Sequence, residues 1–140
     1  MLKLPFAMLL FLLTSIWLLS AVSCKKDNDT VPNISVNIVI STTDPHYNDL
    51  NAVGGWIYLN GGSRGIIVYR YSMDEFMAYD RHCTYAPLES CAIVEVDQSG
   101  IIAEDACCGS KFLLTDGSVI DGPASVPLKT YQTSFNGNDL

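Results

Sequence analysis

Positive charge is scarce in this sequence: 8 Lys and Arg stand against 15 Asp and Glu, a formal net charge of −7. Such a chain repels a polyanion, which excludes nucleic acid as its partner. Catalytic templates with a recognisable spacing are missing too: there is no G-x-S-x-G elbow, no Walker loop, no H-E-x-x-H and no paired histidines. Asp74-Glu75 and Glu104-Asp105 are adjacent acidic pairs, and neighbours on a turn or strand form a solvated face rather than an acid/base couple. An enzyme is therefore the less favoured reading. Nor does the sequence repeat itself at a period of about 20 to 50 residues, which argues against a solenoid or propeller. From Ile34 onward no apolar stretch keeps helical spacing for more than about two turns.

What is present begins with a leader. Residues 4–23 are nearly all apolar behind a lone Lys3, and no stop-transfer flank follows, so the stretch reads as a secretory signal peptide rather than a spanning helix. It closes on Ala21-Val22-Ser23 before Cys24, an arrangement that resembles a bacterial lipobox, with residues 1–23 as the lipoprotein signal peptide. That resemblance implies acyl chains on Cys24. Each buried CH₂ contributes about 0.8 kcal/mol, and several chains together anchor stably where one does not. Residues 24–33 are polar and unpatterned, as a lipidated flexible tether would be. The implied location is the outer membrane or cell surface of a Gram-negative bacterium, with the membrane as one partner and an unidentified envelope or extracellular partner as another. Asn33-Ile34-Ser35 matches a glycosylation sequon, and beside a lipobox we read it as chance.

Residues 34–140 form the expected domain, all-β and built of small antiparallel sheets. Short β-branched or aromatic runs alternate there with Gly, Asn and Asp punctuation. The expected strands are 35–40, 55–59, 66–71, 76–79, 92–96, 101–103, 112–114 and 128–133, while 47–52 has no assignment beyond a short turn. Asp116-Gly117 has the composition of a two-residue hairpin turn. Trp56, Tyr69, Tyr71, Phe76, Phe112 and Tyr131 are the expected aromatic core, with a sugar-binding platform as the less favoured reading.

Two segments carry the chemistry: Asp80-Arg81-His82-Cys83-Thr84-Tyr85, and Asp105-Ala106-Cys107-Cys108-Gly109-Ser110-Lys111-Phe112 followed by Asp116-Gly117, Gly122-Pro123-Ala124 and Pro127-Leu128. Together they resemble a Rieske domain, in which a C-x-H loop and a C-x-x-H loop lead into a D-G…G-P-A…P-L tail. The likeness spans about residues 34–133 and implies a Rieske-like fold. It also implies a [2Fe–2S] site, held in this family by two thiolates on one iron and two imidazoles on the other. Position by position, Cys83 keeps its thiol, Tyr85 stands where the family has histidine, Asp105 where it has cysteine, and Cys108 where it has histidine. Phenol and carboxylate are hard oxygen donors poorly matched to iron–sulfur chemistry. The favoured expectation is thus no cofactor and a non-catalytic binding or structural module. The alternative is an electron-transfer protein whose [2Fe–2S] cluster has atypical ligands, among them Cys83 and Cys108. His82 cannot stand in, because adjacent side chains on an extended segment point to opposite faces, and His46 reads as a surface residue.

Cys83, Cys91, Cys107 and Cys108 remain once Cys24 is set aside, and in an exported chain disulfides persist. Four cysteines allow three connectivities. The Rieske resemblance implies Cys91 with Cys107, which leaves Cys83 and Cys108 facing the cluster position as a second candidate pair. A vicinal Cys107–Cys108 bond, a four-thiolate zinc site and a thiol–disulfide enzyme using Cys107 and Cys108 are the remaining options, the last disfavoured by nearby Asp105.

Overall fold

The computed structural model describes residues 30–140. The leader, the lipidation candidate Cys24 and the start of the tether lie outside the described residues.

Eight short strands build two four-stranded antiparallel sheets. The first contains β1 (Trp56–Leu59), β2 (Ile66–Arg70), β3 (Phe76–Asp80) and β8 (Thr130–Tyr131) in the order β1-β2-β3-β8, and the second β4 (Glu95–Val96), β5 (Ile102–Glu104), β6 (Lys111–Leu113) and β7 (Val119–Asp121) in sequential order. The expectation of an all-β domain of small antiparallel sheets is thus met.

Strand β2 shows why. All five of its residues are buried, so it reads as a continuous apolar run instead of an alternation. Its two faces feed two different cores. Ile67 and Tyr69 join Tyr79, Cys83, Val94, Phe112 and Leu114. Ile66 and Val68 pack on the other side with Ile40, Leu50, Ile57, Phe76 and Ala78. Arg70 closes the strand as a buried cation: its guanidinium donates to the Leu50 carbonyl at 2.7 Å and the Ser72 carbonyl at 3.2 Å, and lies 5.0 Å from the centre of the Phe76 ring.

Several expectations need correction. Residues 35–40 form no strand, because their backbone finds a partner only at the end of the run, where Ile40 and Leu140 exchange N–H···O=C bonds of 2.9 Å. The 47–52 stretch, expected to be at most a short turn, does turn: it overlaps a 3₁₀ run, Pro45–Asn51, started by Asp44, whose carboxylate accepts the His46 N–H. Of the expected 92–96 strand only Glu95–Val96 pairs as one, since Ala92 and Val94 are committed to backbone bonds with Cys83 and Arg81. Strand β7 was not expected, and its half-buried to exposed residues carry no apolar alternation to reveal it. Asp116-Gly117 does not form a two-residue turn: Leu113 donates to the Ser118 carbonyl at 2.9 Å, so four residues span the hairpin.

Among the expected core aromatics, Tyr69, Phe76 and Phe112 are buried, Trp56 and Tyr131 are half-buried against the cores, and Tyr71 is exposed. Fully buried Tyr79 takes the place Tyr71 was expected to fill. Burial, then the charges of Asp116 and Tyr69, push its phenol pKa upward, and its hydroxyl has no hydrogen-bond partner among the described residues. An unmet buried hydroxyl costs stability. Tyr79→Phe is therefore expected to leave the denaturation midpoint unchanged or raise it, and a loss above about 1 kcal/mol in a urea titration would contradict this account.

Candidate functional site

The first site loop leaves β3 at Asp80. This carboxylate, fully buried, accepts the Ser63 N–H (2.7 Å), the Arg64 N–H (3.2 Å), the His82 N–H (2.9 Å) and the Tyr131 hydroxyl (2.7 Å). Burial, with the hydrogen-bonded Asp80 charge behind it, raises the Tyr131 phenol pKa and keeps it a donor. His82 is buried with both ring nitrogens engaged: Nε2 donates to the Pro87 carbonyl at 2.7 Å, which leaves Nδ1 to accept the Ser63 hydroxyl at 2.8 Å. Arg64 donates to the Ser90 carbonyl at 2.6 Å. The 86–91 excursion is thus pinned from below by a histidine and an arginine. Cys83 is held by its own N–H on the Ala92 carbonyl at 3.0 Å.

The second loop, between β5 and β6, is a tight turn. Asp105 donates its N–H to the Ser110 carbonyl (2.9 Å) and accepts the Gly109 N–H on its own carbonyl (2.7 Å), while its Oδ1 accepts the Cys107 N–H (2.7 Å). Ser110, fully buried, receives the Cys108 thiol at 3.1 Å and the Ala124 N–H at 3.1 Å on its Oγ. This locks the Gly122-Pro123-Ala124 tail beneath the loop.

Cys91 and Cys107 form a disulfide across the two loops, with Cα atoms 5.8 Å apart. The connectivity implied by the sequence resemblance is the observed one, despite the long 86–90 insertion. It rules out the vicinal Cys107–Cys108 pair and the four-thiolate zinc site, because two of the four sulfurs are already bonded to each other. Cys83 and Cys108 are thiols with Sγ atoms 3.8 Å apart. The cross-link closes a 16-residue separation, for which the chain-entropy model gives about 3 kcal/mol. Paired Cys91→Ala and Cys107→Ala substitution is expected to lower the unfolding free energy by about that amount, read from urea denaturation.

The structure therefore gathers three of the four cluster-equivalent positions. Donor atoms of Cys83, Asp105 and Cys108 lie within 4.8 Å of one another, the first two fully buried. The fourth, Tyr85, is 43% exposed. Burial raises the Cys83 thiol pKa far above its usual value, and the facing Asp105 carboxylate adds to the rise against a smaller lowering by the Tyr85 N–H. His46 is a surface side chain whose Nδ1 lies 2.8 Å from Asp44. Ser63 and Arg64, which shape the first loop, were not among the expected site residues, and Asp80, which opens the first segment, had no role assigned; the signal available for it was a carboxylate ending an apolar strand beside the loop.

No protein-family model matches the sequence, and no curated protein matches it. A solved structure does: the chain is similar to the cyanobacterial plasma membrane Rieske protein PetC3 from Synechocystis PCC 6803, at 25% sequence identity and a TM-score of 0.55, over 74% of this chain and 97% of that one. The fold is Rieske-like. A Rieske cluster needs two thiolates and two imidazoles, and the side chains gathered between these loops do not fit it. No imidazole reaches the site, Tyr85 faces solvent, and the remaining set is two sulfurs and one carboxylate.

Proposed function

We propose that this protein is a lipid-anchored envelope protein whose Rieske-like domain acts as a non-catalytic binding or structural module rather than as a [2Fe–2S] electron carrier. The observation that carries the reading is the donor set: Cys83, Asp105 and Cys108 converge, His82 spends both nitrogens on Ser63 and Pro87, and Tyr85 is turned out. The scaffold around that site is kept by contacts that need no metal, namely the Asp80 hub, the Cys91–Cys107 bond and the Ser110–Ala124 lock.

The test is anaerobic reconstitution of the full chain with iron and sulfide. A colourless protein without a reduced paramagnetic signal is the expected result; a brown product with two irons per chain overturns the reading. Membrane attachment rests on the lipobox-like residues 21–24 and on the polar run behind them. A membrane location for the similar cyanobacterial protein agrees with it. Cys24→Ser is expected to move the chain from the membrane fraction to the soluble fraction, and unchanged partitioning would remove the anchor from the proposal.

A further inference from the structure

We propose that Cys83, Asp105 and Cys108 bind a single tetrahedral zinc-class ion, with the fourth coordination position open to water or a small ligand. This rests on the reading above only in that the loops hold no diiron cluster.

Two thiolates bound to one tetrahedral ion at about 2.3 Å lie about 3.8 Å apart. The Cys83 and Cys108 sulfurs are 3.8 Å apart. Two thiols in S–H···S contact reach a similar separation, so the third donor decides the matter. Asp105 is fully buried, its Oδ1 is fixed by the Cys107 N–H, and its Oδ2 has no N–H or O–H donor among the described residues, only the facing Cys83 thiol, a weak donor. A buried carboxylate oxygen served by no more than a weak S–H donor is costly, and a cation is the partner that removes the cost. A carboxylate gripped at one oxygen by a backbone N–H and free at the other is also how outer partners orient a metal ligand.

The donor set selects the ion. Two thiolates with one carboxylate are too soft for magnesium or calcium and suit zinc, whose open sites keep three protein ligands and one exchangeable position. Cys83 is fully buried and Cys108 partly exposed, so the open position faces solvent on the Cys108 side. The disulfide holds both loops in place before any ion arrives. On binding, each thiol gives its proton to solvent, two in all, and both sulfurs and Oδ2 donate electron pairs to the ion. Nothing is oxidised or reduced.

The full chain, with Cys83 and Cys108 verified as free thiols, is loaded with zinc or cobalt(II) and desalted. One ion per chain is expected, and the cobalt form should show near-ultraviolet thiolate charge-transfer bands with the intense visible bands of a tetrahedral site. Cys108→Ser and Asp105→Asn should each weaken binding about tenfold or more. Asp105→Asn retains the oxygen that accepts the Cys107 N–H, so an unchanged far-ultraviolet spectrum separates lost ligation from lost folding. No retained ion, wild-type affinity in Asp105→Asn, or two thiols that join as a disulfide instead of binding the ion overturns the site. Two irons with labile sulfide overturn the cluster-free reading; a chain that retains no metal overturns the ion site alone.

Discussion

Asp80→Ala is expected to shift the urea midpoint further toward low denaturant than any other single substitution considered. The substitution removes one fully buried carboxylate and strands the N–H groups of Ser63, Arg64 and His82 and the hydroxyl of Tyr131. An unmet buried donor costs about 1–3 kcal/mol; only the His82 N–H is fully buried while the other three are part-buried and can be partly met by water, so a combined loss of roughly 3–5 kcal/mol is expected, a large share of the 5–15 kcal/mol typical of a domain. Asp80→Asn should fall between wild type and Ala, since it keeps one acceptor oxygen but loses the charge that strengthens the bonds. Urea midpoints for the three proteins give the ordering; an Ala variant within about 1 kcal/mol of wild type would remove Asp80 from its place as the hub of the first loop.

Gly122→Ala should be nearly as damaging, for a steric reason. Gly122 has φ +87°, a left-handed conformation disfavoured for any residue with a Cβ, and a Cβ built there meets Ser110 Cα at 2.5 Å, the Gly109 carbonyl oxygen at 2.6 Å and the Ser110 nitrogen at 2.8 Å. All three are backbone atoms, so no side-chain rotation relieves the clash. Strained φ contributes about 1–2 kcal/mol and overpacking about 1–3 kcal/mol, for an expected loss of roughly 2–5 kcal/mol. Because the displaced backbone is that of the second site loop, Cys108 should also change its rate of alkylation. A variant with wild-type stability and wild-type Cys108 reactivity would show that the tail does not brace the loop.

The fold was legible in the sequence wherever local chemistry agreed with the tertiary structure. Strand β2 is an apolar run with both faces buried, and runs of that kind announce themselves. The 35–40 segment has the same β-branched composition, but no strand pairs with its backbone, and composition does not encode a missing partner. Strand β7 errs the other way: hydrogen bonding to β6 makes it a strand although its side chains are half out in water. At the site, the resemblance placed Cys83, Asp105 and Cys108 at equivalent positions, and the structure gathers them. The support was hidden because Asp80, Ser63 and Arg64 act through backbone groups distant in sequence, and Tyr85 carries no local mark of facing outward.

The cross-link between Cys91 and Cys107 makes timing matter. Before that bond forms the chain offers four sulfhydryl groups at this end of the molecule, and once it has formed it offers two. An ion that arrived early could be captured by sulfurs destined for the covalent bond and could block it. For an ion to settle on the proposed Cys83, Asp105 and Cys108 site alone, oxidation has to come first and the metal second.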